Sequence, residues 1–285
     1  MGICLFCDSA KNTSWLLPSF IYNQTKYQYI KCEDCKLIYI DPLPKQEDLE
    51  KMYSSEYHQT FYFQKSYDYS MQMKLLKSYA EKGKILDFGC GDASFLREAK
   101  ENGYECYGVE LNKEHVNLLR EKSPFITFYT IEEFNNANLT FDIIYLSNVI
   151  GSVINPVEIF KSVKKKLSKK GILFVEGHVE FNLSVASIIG TAYFFLKKKI
   201  FSTKQVEHLP YRISFPNSKN QLFFLNKLGF KTIYYKIDDD GCPFLSNFSS
   251  VNNFNSAAKY IIGRASIATS KVLKNFGNRF TYIGS

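Results

Sequence analysis

The stretch "KILDFGCGDASFL", Lys84 to Leu96, runs from apolar residues into an acid, two glycines one residue apart and an alanine. In an open α/β sheet, ligands bind beyond the carboxyl ends of the strands, where a strand feeds a tight turn and a helix. Gly89 and Gly91 permit unusual dihedrals and let ligand atoms approach the backbone, and a helix from about Ala93 would offer free amides. The turn by itself is equally compatible with a structural loop after a buried strand. A dinucleotide fingerprint requires a third glycine where this chain has Ser94, which argues against a nicotinamide cofactor.

Working outward, apolar runs alternate with amphipathic stretches. "KILDFG", "YECYGVE", "FITFYT", "FDIIYLS", "GILFVEG" and "KTIYYKI" are strand-like, and "ASFLREAKENG" and "EHVNLLREKS" are helix-like. This alternation specifies a mostly parallel sheet with helices on both faces. Asp87, just before the glycines, would repel a pyrophosphate but could bind the ammonium of an amino-acid moiety. Glu110 ends the second strand nineteen positions after Gly91, where a carboxylate can accept hydrogen bonds from both ribose hydroxyls. Ile131 and Glu132 follow the third strand, an apolar contact and an acceptor suited to an adenine. These positions together suggest S-adenosylmethionine (SAM).

The residues resemble the class I SAM-dependent methyltransferases. "LDFGCGDASFL" is similar to their glycine motif, Glu110 to their ribose acid, "FDIIYLSNVI" and "LSKKGILFVEG" to their fourth and fifth strands, and "NQLFFLNKLGFKTIYYKI" to the helix and sixth strand. The resemblance implies a Rossmann-like seven-stranded methyltransferase sheet, α/β in class, closed by a C-terminal hairpin whose last strand is "RFTYIG", Arg279 to Gly284. It implies a cofactor set of Asp87, Gly89, Gly91, Glu110, Leu111, Ile131, Glu132 and Ser147. In place of the third family glycine stands Ala93.

Four of the seven cysteines form two pairs, Cys4 with Cys7 and Cys32 with Cys35, separated by 24 residues. Two such turns can close a four-thiolate zinc shell with no position for water, which is a structural site. Disulfides are the alternative, disfavoured in a reducing compartment. Cys90, Cys106 and Cys242 are expected to be small buried thiols in or beside core elements. With the following "LIYIDPLPKQEDLEKMYSSEY", the cysteines resemble a bacterial methyltransferase group whose domain is preceded by a zinc-ribbon-like head. The expected organisation is a head at 1–40, a connector with helices at 41–82, and a methyltransferase domain at 83–285 with a substrate lid at 183–210. One helix is expected near Gln46 and another from about Tyr69 to Lys82.

A chain of 285 residues with 45% hydrophobic content can bury a full core. Its beginning, "MGICLFCDSA", lacks the pattern of a secretory signal, and its longest apolar stretch, Leu183 to Leu196, is too short to span a bilayer, so the expected location is cytoplasmic. The net charge of +8 is concentrated in "KSVKKKLSKKG", Lys161 to Gly171, and in "LKKK", Leu196 to Lys199. The first is expected to be the wet face of a helix closing on Gly171. The segment "FNLSVASIIGTAYFFLKKKIF" occupies the place of a lid; contact with a membrane surface is its weaker reading.

Methyl transfer needs an in-line nucleophile and, for hydroxyl or carbon acceptors, a base. His208, in "KQVEHLPYRISFPN", resembles the histidine of a Glu-His pair in sugar C-methyltransferases, with Glu207 orienting it or binding a sugar hydroxyl; a positioning or structural histidine is the alternative. His178, just past the fifth strand, is the second candidate base. His115 and His58 are expected to be solvated or structural, and Tyr53 and Tyr57 could close the substrate mouth. Where relatives carry a Glu-His pair after the fourth strand, this chain has Gly151 and Ser152. The resemblance implies a small hydroxylated acceptor, a nucleotide- or lipid-linked sugar of surface glycan biosynthesis. An RNA methyltransferase is the first rival, disfavoured because no basic stripe interleaves with stacking aromatics. A catalytically silent zinc and SAM-fold scaffold is the second. The oligomeric state is not legible.

Overall fold

The computed structural model describes residues 2–53, 68–190, 192, 212–242, 244, 248 and 252–285. Glu207, His208, Tyr57 and His58 lie outside the described residues, as does most of the expected lid. In chain order the first elements are β1 (Asn12–Ser14), β2 (Phe20–Tyr22), β3 (Thr25–Cys32), β4 (Ile38–Asp41), α1 (Gln46–Met52) and α2 (Ser70–Lys77). Then follow β5 (Lys84–Phe88), α3 (Ser94–Glu101), β6 (Glu105–Glu110), α4 (Lys113–Lys122), β7 (Thr127–Thr130), α5 (Ile131–Asn136), β8 (Phe141–Ser147), α6 (Pro156–Lys166) and β9 (Leu167–His178). The last are β10 (Ser214–Phe215), α7 (Ser218–Lys227), β11 (Thr232–Asp238), α8 (Phe254–Val272) and β12 (Arg279–Gly284).

Seven strands form one sheet in the order β11-β12-β9-β8-β5-β6-β7. β12 is "RFTYIG" as expected, and it enters between β9 and β11. The alternation of strands and helices therefore yields the Rossmann-like sheet with flanking helices. The chain divides into two compact units, and each is described by itself.

The unit built on Leu43–Val175 holds the glycine-bearing turn. Its β5 pairs parallel with β6 and β8, and β6 with β7. The registers set Asp87 opposite Gly108 and Glu110 opposite Thr130, at the carboxyl ends of the strands. Ile85–Phe88 of β5 and Ile143–Leu146 of β8 are buried on both faces. That double burial is why these strands are continuous apolar runs without alternation. Phe95 of α3 stacks on Tyr145 of β8 with centroids 3.8 Å apart, which fixes the helix after the turn onto the sheet.

The unit built on Met1–Pro42, Glu176–Gly229 and Tyr234–Tyr282 contains the cysteines. A small sheet, β1-β3-β4-β10 with β2 also on β3, joins the first forty residues to β10, because β4 pairs antiparallel with Ser214 and Phe215. Phe6 stacks on Phe224 of α7 at 4.2 Å, and Lys227 donates to the Phe6 carbonyl at 3.2 Å and to Asp8 at 2.9 Å.

Three expectations differ from the structure. α2 ends at Lys77 and does not reach Lys82; the Ser78 hydroxyl donates back to the Leu75 carbonyl and closes the last turn. α6 ends at Lys166 and does not close on Gly171, because β9 already begins at Leu167. A Cβ on Gly171 would lie 2.8 Å from the Phe141 carbonyl oxygen, so this glycine serves close backbone approach within the sheet. Lys164, Lys165 and Lys166 still occupy the last turn of α6, where the helix dipole favours cations. Cys90 and Cys106 are buried, but Cys242 is exposed.

Candidate cofactor site and cysteine cluster

The turn after β5 passes through left-handed backbone at Gly89 (φ 80°), Gly91 (φ 52°) and Ala93 (φ 61°). At Gly89 a Cβ would come 2.8 Å from a Val149 methyl, so side chains are excluded on steric grounds as well as by φ. Ala93 holds a conformation that costs an L residue roughly 1 kcal/mol, which is the physical reason a glycine is expected there. Three amides at the turn and the helix start already have acceptors within the chain. Gly91 N donates to Glu110 Oε2 at 3.0 Å, Ala93 N to the Cys90 carbonyl at 2.8 Å, and Ser94 N to Asp92 Oδ1 at 3.0 Å.

Glu110 is the organising residue. Its Oε1 accepts from Leu111 N at 2.7 Å, so one buried carboxylate ties the end of β6 to the turn after β5. Burial pushes its carboxyl above the usual carboxylate range, and the Leu111 and Gly91 amides oppose that rise. A carboxylate offers about four lone-pair sites, so Glu110 keeps acceptor capacity beyond the Leu111 and Gly91 amides. Asp87 is buried at the end of β5, Ile131 is half-buried at the start of α5, Glu132 beside it is exposed, and Ser147 is half-buried at the end of β8. His115, expected to be solvated or structural, is structural: it is buried on α4, and its Nε2 lies 2.8 Å from the Gly91 carbonyl oxygen. Tyr69 reaches the same turn through its hydroxyl, 3.1 Å from Ser94 Oγ. Neither contact was anticipated, because sequence separations of 24 and 25 residues leave no local pattern.

The four head cysteines converge. Cys4 Sγ lies 3.4 Å from Cys35 Sγ, Cys7 Sγ lies 3.5 Å from Cys32 Sγ, and all four sulfurs fall within 4.8 Å of one another. Disulfide sulfurs stand about 2.05 Å apart, so these are free thiols. A tetrahedral zinc with bonds of about 2.3 Å has sulfur–sulfur edges of about 3.8 Å, which the cluster matches. The two turns are alike: Asp8 and Lys36, each just after a pair, sit at φ 63° and 64° and return their amides to the Cys4 and Cys32 carbonyls. The Cys35 thiol donating to Cys4 holds Cys4 down to about 5, while the same contact raises Cys35. Burial raises Cys7 to about 11. Four sulfurs this close share negative charge poorly, and their donor set suits a soft divalent cation.

The family model for a methyltransferase domain matches residues 63–218, more than half of the chain. The chain belongs to this methyltransferase-domain family. The Bacillus subtilis (strain 168) protein named as methyltransferase YqeM is 29% identical over 116 residues, 38% of this chain and 47% of that one. The match therefore spans about half the length of this curated relative. A chain of the complex between the Haloferax volcanii Trm112 methyltransferase activator and a methyltransferase aligns with TM-score 0.53 at 10% identity, covering 83% of this chain and 96% of that one. A SAM-dependent methyltransferase from Thermotoga maritima, described as a possible histamine N-methyltransferase, aligns with TM-score 0.50 at 16% identity, covering 84% and 98%. At these identities the two structures speak for the fold, that of the class I SAM-dependent methyltransferases.

In this methyltransferase, His178 ends β9 and its Nε2 lies 2.8 Å from Asp240 Oδ2. The bond to Asp240 raises the imidazole to about 9, so it is cationic at neutral pH. Burial works to raise Asp240, but the bonds from His178 and the Cys242 amide outweigh it and hold the carboxyl below its usual range. Buried Asn278 pins the loop, donating to Asp240 Oδ1 at 3.0 Å and to the Cys242 carbonyl at 2.9 Å. Arg279 stands 3.8 Å from Asp240 and 3.7 Å from Glu176.

Proposed function

We propose that the chain transfers the methyl group of SAM to a small hydroxylated metabolite, a nucleotide- or lipid-linked sugar. The observation that carries the cofactor reading is the Glu110 bridge, which presents a buried carboxylate beside a left-handed glycine turn at the carboxyl ends of parallel strands. In this reading Glu110 accepts both ribose hydroxyls, Asp87 meets the ammonium, and Gly89 and Gly91 leave room for the amino-acid moiety. Leu111, Ile131 and Ser147 flank the nucleoside, with Glu132 accepting from the adenine amine. When bound, the cofactor supplies a methyl on a sulfonium sulfur, so the carbon–sulfur bond breaks as the acceptor bond forms.

His208, with Glu207 orienting it, removes the acceptor proton. His178 is already charged through Asp240, so it suits holding an anionic part of the acceptor better than accepting a proton. Cys4, Cys7, Cys32 and Cys35 hold a structural zinc, supported by the tetrahedral spacing of their sulfurs. The sugar-linked acceptor rests on the resemblance of the head and of the Glu207–His208 segment. Its test is transfer of labelled methyl from SAM to a panel of nucleotide sugars, with RNA beside it. Transfer to a sugar that falls at least tenfold in His208→Ala, with SAM affinity retained, is the expected result. Transfer to RNA alone would replace the acceptor class, and unchanged turnover in His208→Ala would remove it as the base.

A further inference from the structure

Helix α8 leaves three large apolar side chains, Phe254, Ile261 and Val272, exposed. Helices normally bury their apolar stripe. In α8 the buried residues are Gly263 and Ser266, and Ser266 Oγ accepts from Ala186 N at 3.1 Å. A Cβ on Gly241 would lie 3.2 Å from the Gly263 Cα, so small residues make the inward contact. The outward face carries Phe254, Ile261 and Val272, which are 87%, 65% and 81% exposed, with exposed Ala265 and Ala268 between them. At 100° per residue these five positions fall within an arc of about 60°. Phe248, 70% exposed, lies edge-on to Tyr260 at 5.6 Å and adds to the apolar surface beside the helix.

The charged side chains of α8 itself have one sign. Exposed Arg264 and Lys271 border the apolar stripe on one side. Residues 241–285 contain no aspartate or glutamate at all, and exposed Lys274 follows the helix. An apolar stripe bordered by cations is the pattern of a helix that lies in a membrane interface, its apolar face among acyl chains and its cations on headgroup phosphates. The same sign disfavours a second copy of the chain as occupant, since two such faces would bring like charges together on a molecule of net charge +8. Among the described residues no helix is long and apolar enough to cross a membrane, so α8 would lie flat over about 28 Å.

We propose that α8 docks the protein on an anionic phospholipid bilayer, inserting Phe254, Ile261 and Val272 while Arg264 and Lys271 engage the phosphates. Docking of this kind is independent of the identity of the methyl acceptor and of whether methyl transfer occurs.

The test is co-sedimentation of the zinc-loaded full chain with vesicles of phosphatidylcholine, alone or with about a quarter phosphatidylglycerol, at low and high salt. The expected result is binding to the anionic vesicles that weakens with salt, is at least tenfold weaker in Ile261→Asp/Val272→Asp, and loses its anionic preference in Arg264→Gln/Lys271→Gln. The substituted side chains are exposed, so SAM affinity and thermal midpoint should match wild type and show that the variants fold. Equal binding by wild type and Ile261→Asp/Val272→Asp, or no preference for anionic vesicles, overturns the proposal. A wild-type dimer that becomes a monomer in Ile261→Asp/Val272→Asp, without vesicle binding, would also overturn it and assign the face to self-association. Failure of SAM to bind would sink the methyl-transfer reading and leave the vesicle result standing.

Discussion

The glycine turn after β5 and the pair of cysteine turns in the head are both short loops built on left-handed backbone, yet they are completed in opposite ways. In the glycine turn, protein groups close every contact described: Glu110 takes the Gly91 and Leu111 amides, and His115 meets the Gly91 carbonyl oxygen. In the head, the backbone of each turn is satisfied by its own carbonyl, and the four sulfurs lie within 4.8 Å of one another, in contact as the pairs Cys4–Cys35 and Cys7–Cys32. The difference teaches that the glycine turn is held in shape by the chain's own groups, whereas the four sulfurs, as the proposed zinc site, would be completed by a cation. Preorganisation lowers the cost of binding at the first site. At the second, the binding energy of the proposed zinc would be folding energy.

The largest effect that would break this contrast belongs to the head. Structural zinc sites contribute on the order of 10 kcal/mol to folding, so Cys32→Ser or a strong chelator should remove the metal and lower the thermal midpoint by about 10 °C or more. Metal analysis and a melting curve check both. A chain that keeps one zinc per molecule in Cys32→Ser would show that the head is not a four-thiolate site.

A smaller effect is expected in the turn. His115→Ala removes a buried partner of the Gly91 carbonyl, a loss of about 1–3 kcal/mol. SAM affinity should fall about tenfold by calorimetry, while zinc content stays at wild-type level. An equal loss of metal and cofactor would mean that the two regions are not independent.

The smallest effect concerns pH. His178 has its pKa raised in the folded chain, so its contribution to stability is full below the ordinary imidazole range and is lost as pH rises toward 9. Asp240 has its pKa lowered, so its contribution is present above the ordinary carboxylate range and is lost as pH falls below it. Both groups are about one-third exposed, so solvent screening keeps the stability effect modest. Asp240→Asn should return the His178 titration, followed by NMR, from about 9 toward 6.5. An unmoved titration would show that another group holds the charge.

Much of this was legible because burial on both faces writes strands as plain apolar runs. "FDIIYLS" and "RFTYIG" coincide with β8 and β12 to the residue. The CxxC pairs and Glu110 were legible for a similar reason, since spacing alone places them on turns and at a strand end. What was hidden depends on distant partners. His115 could not be assigned to Gly91 across 24 positions, nor could the paired state of His178 be seen without Asp240, 62 positions away. The start of β9 at Leu167 was obscured by lysines that suit a helix end as well as an edge of strand. The head strands β1 and β2 are three residues each, too short for a period to show. Ala93 was seen only as a departure from a glycine pattern; its positive φ gives that departure its physical cost.

The most direct measurement is calorimetric titration of the zinc-loaded protein and its Glu110→Ala variant with SAM. Two charge-assisted hydrogen bonds to ribose are worth several kcal/mol together, so saturable binding to wild type should weaken at least about 100-fold in the variant. Affinity should also weaken as pH falls toward the raised pKa of Glu110, since the protonated acid is a poorer acceptor. Wild-type affinity retained in Glu110→Ala, or no SAM binding by the wild-type protein, would contradict the account and leave the Gly89–Gly91 turn a structural loop.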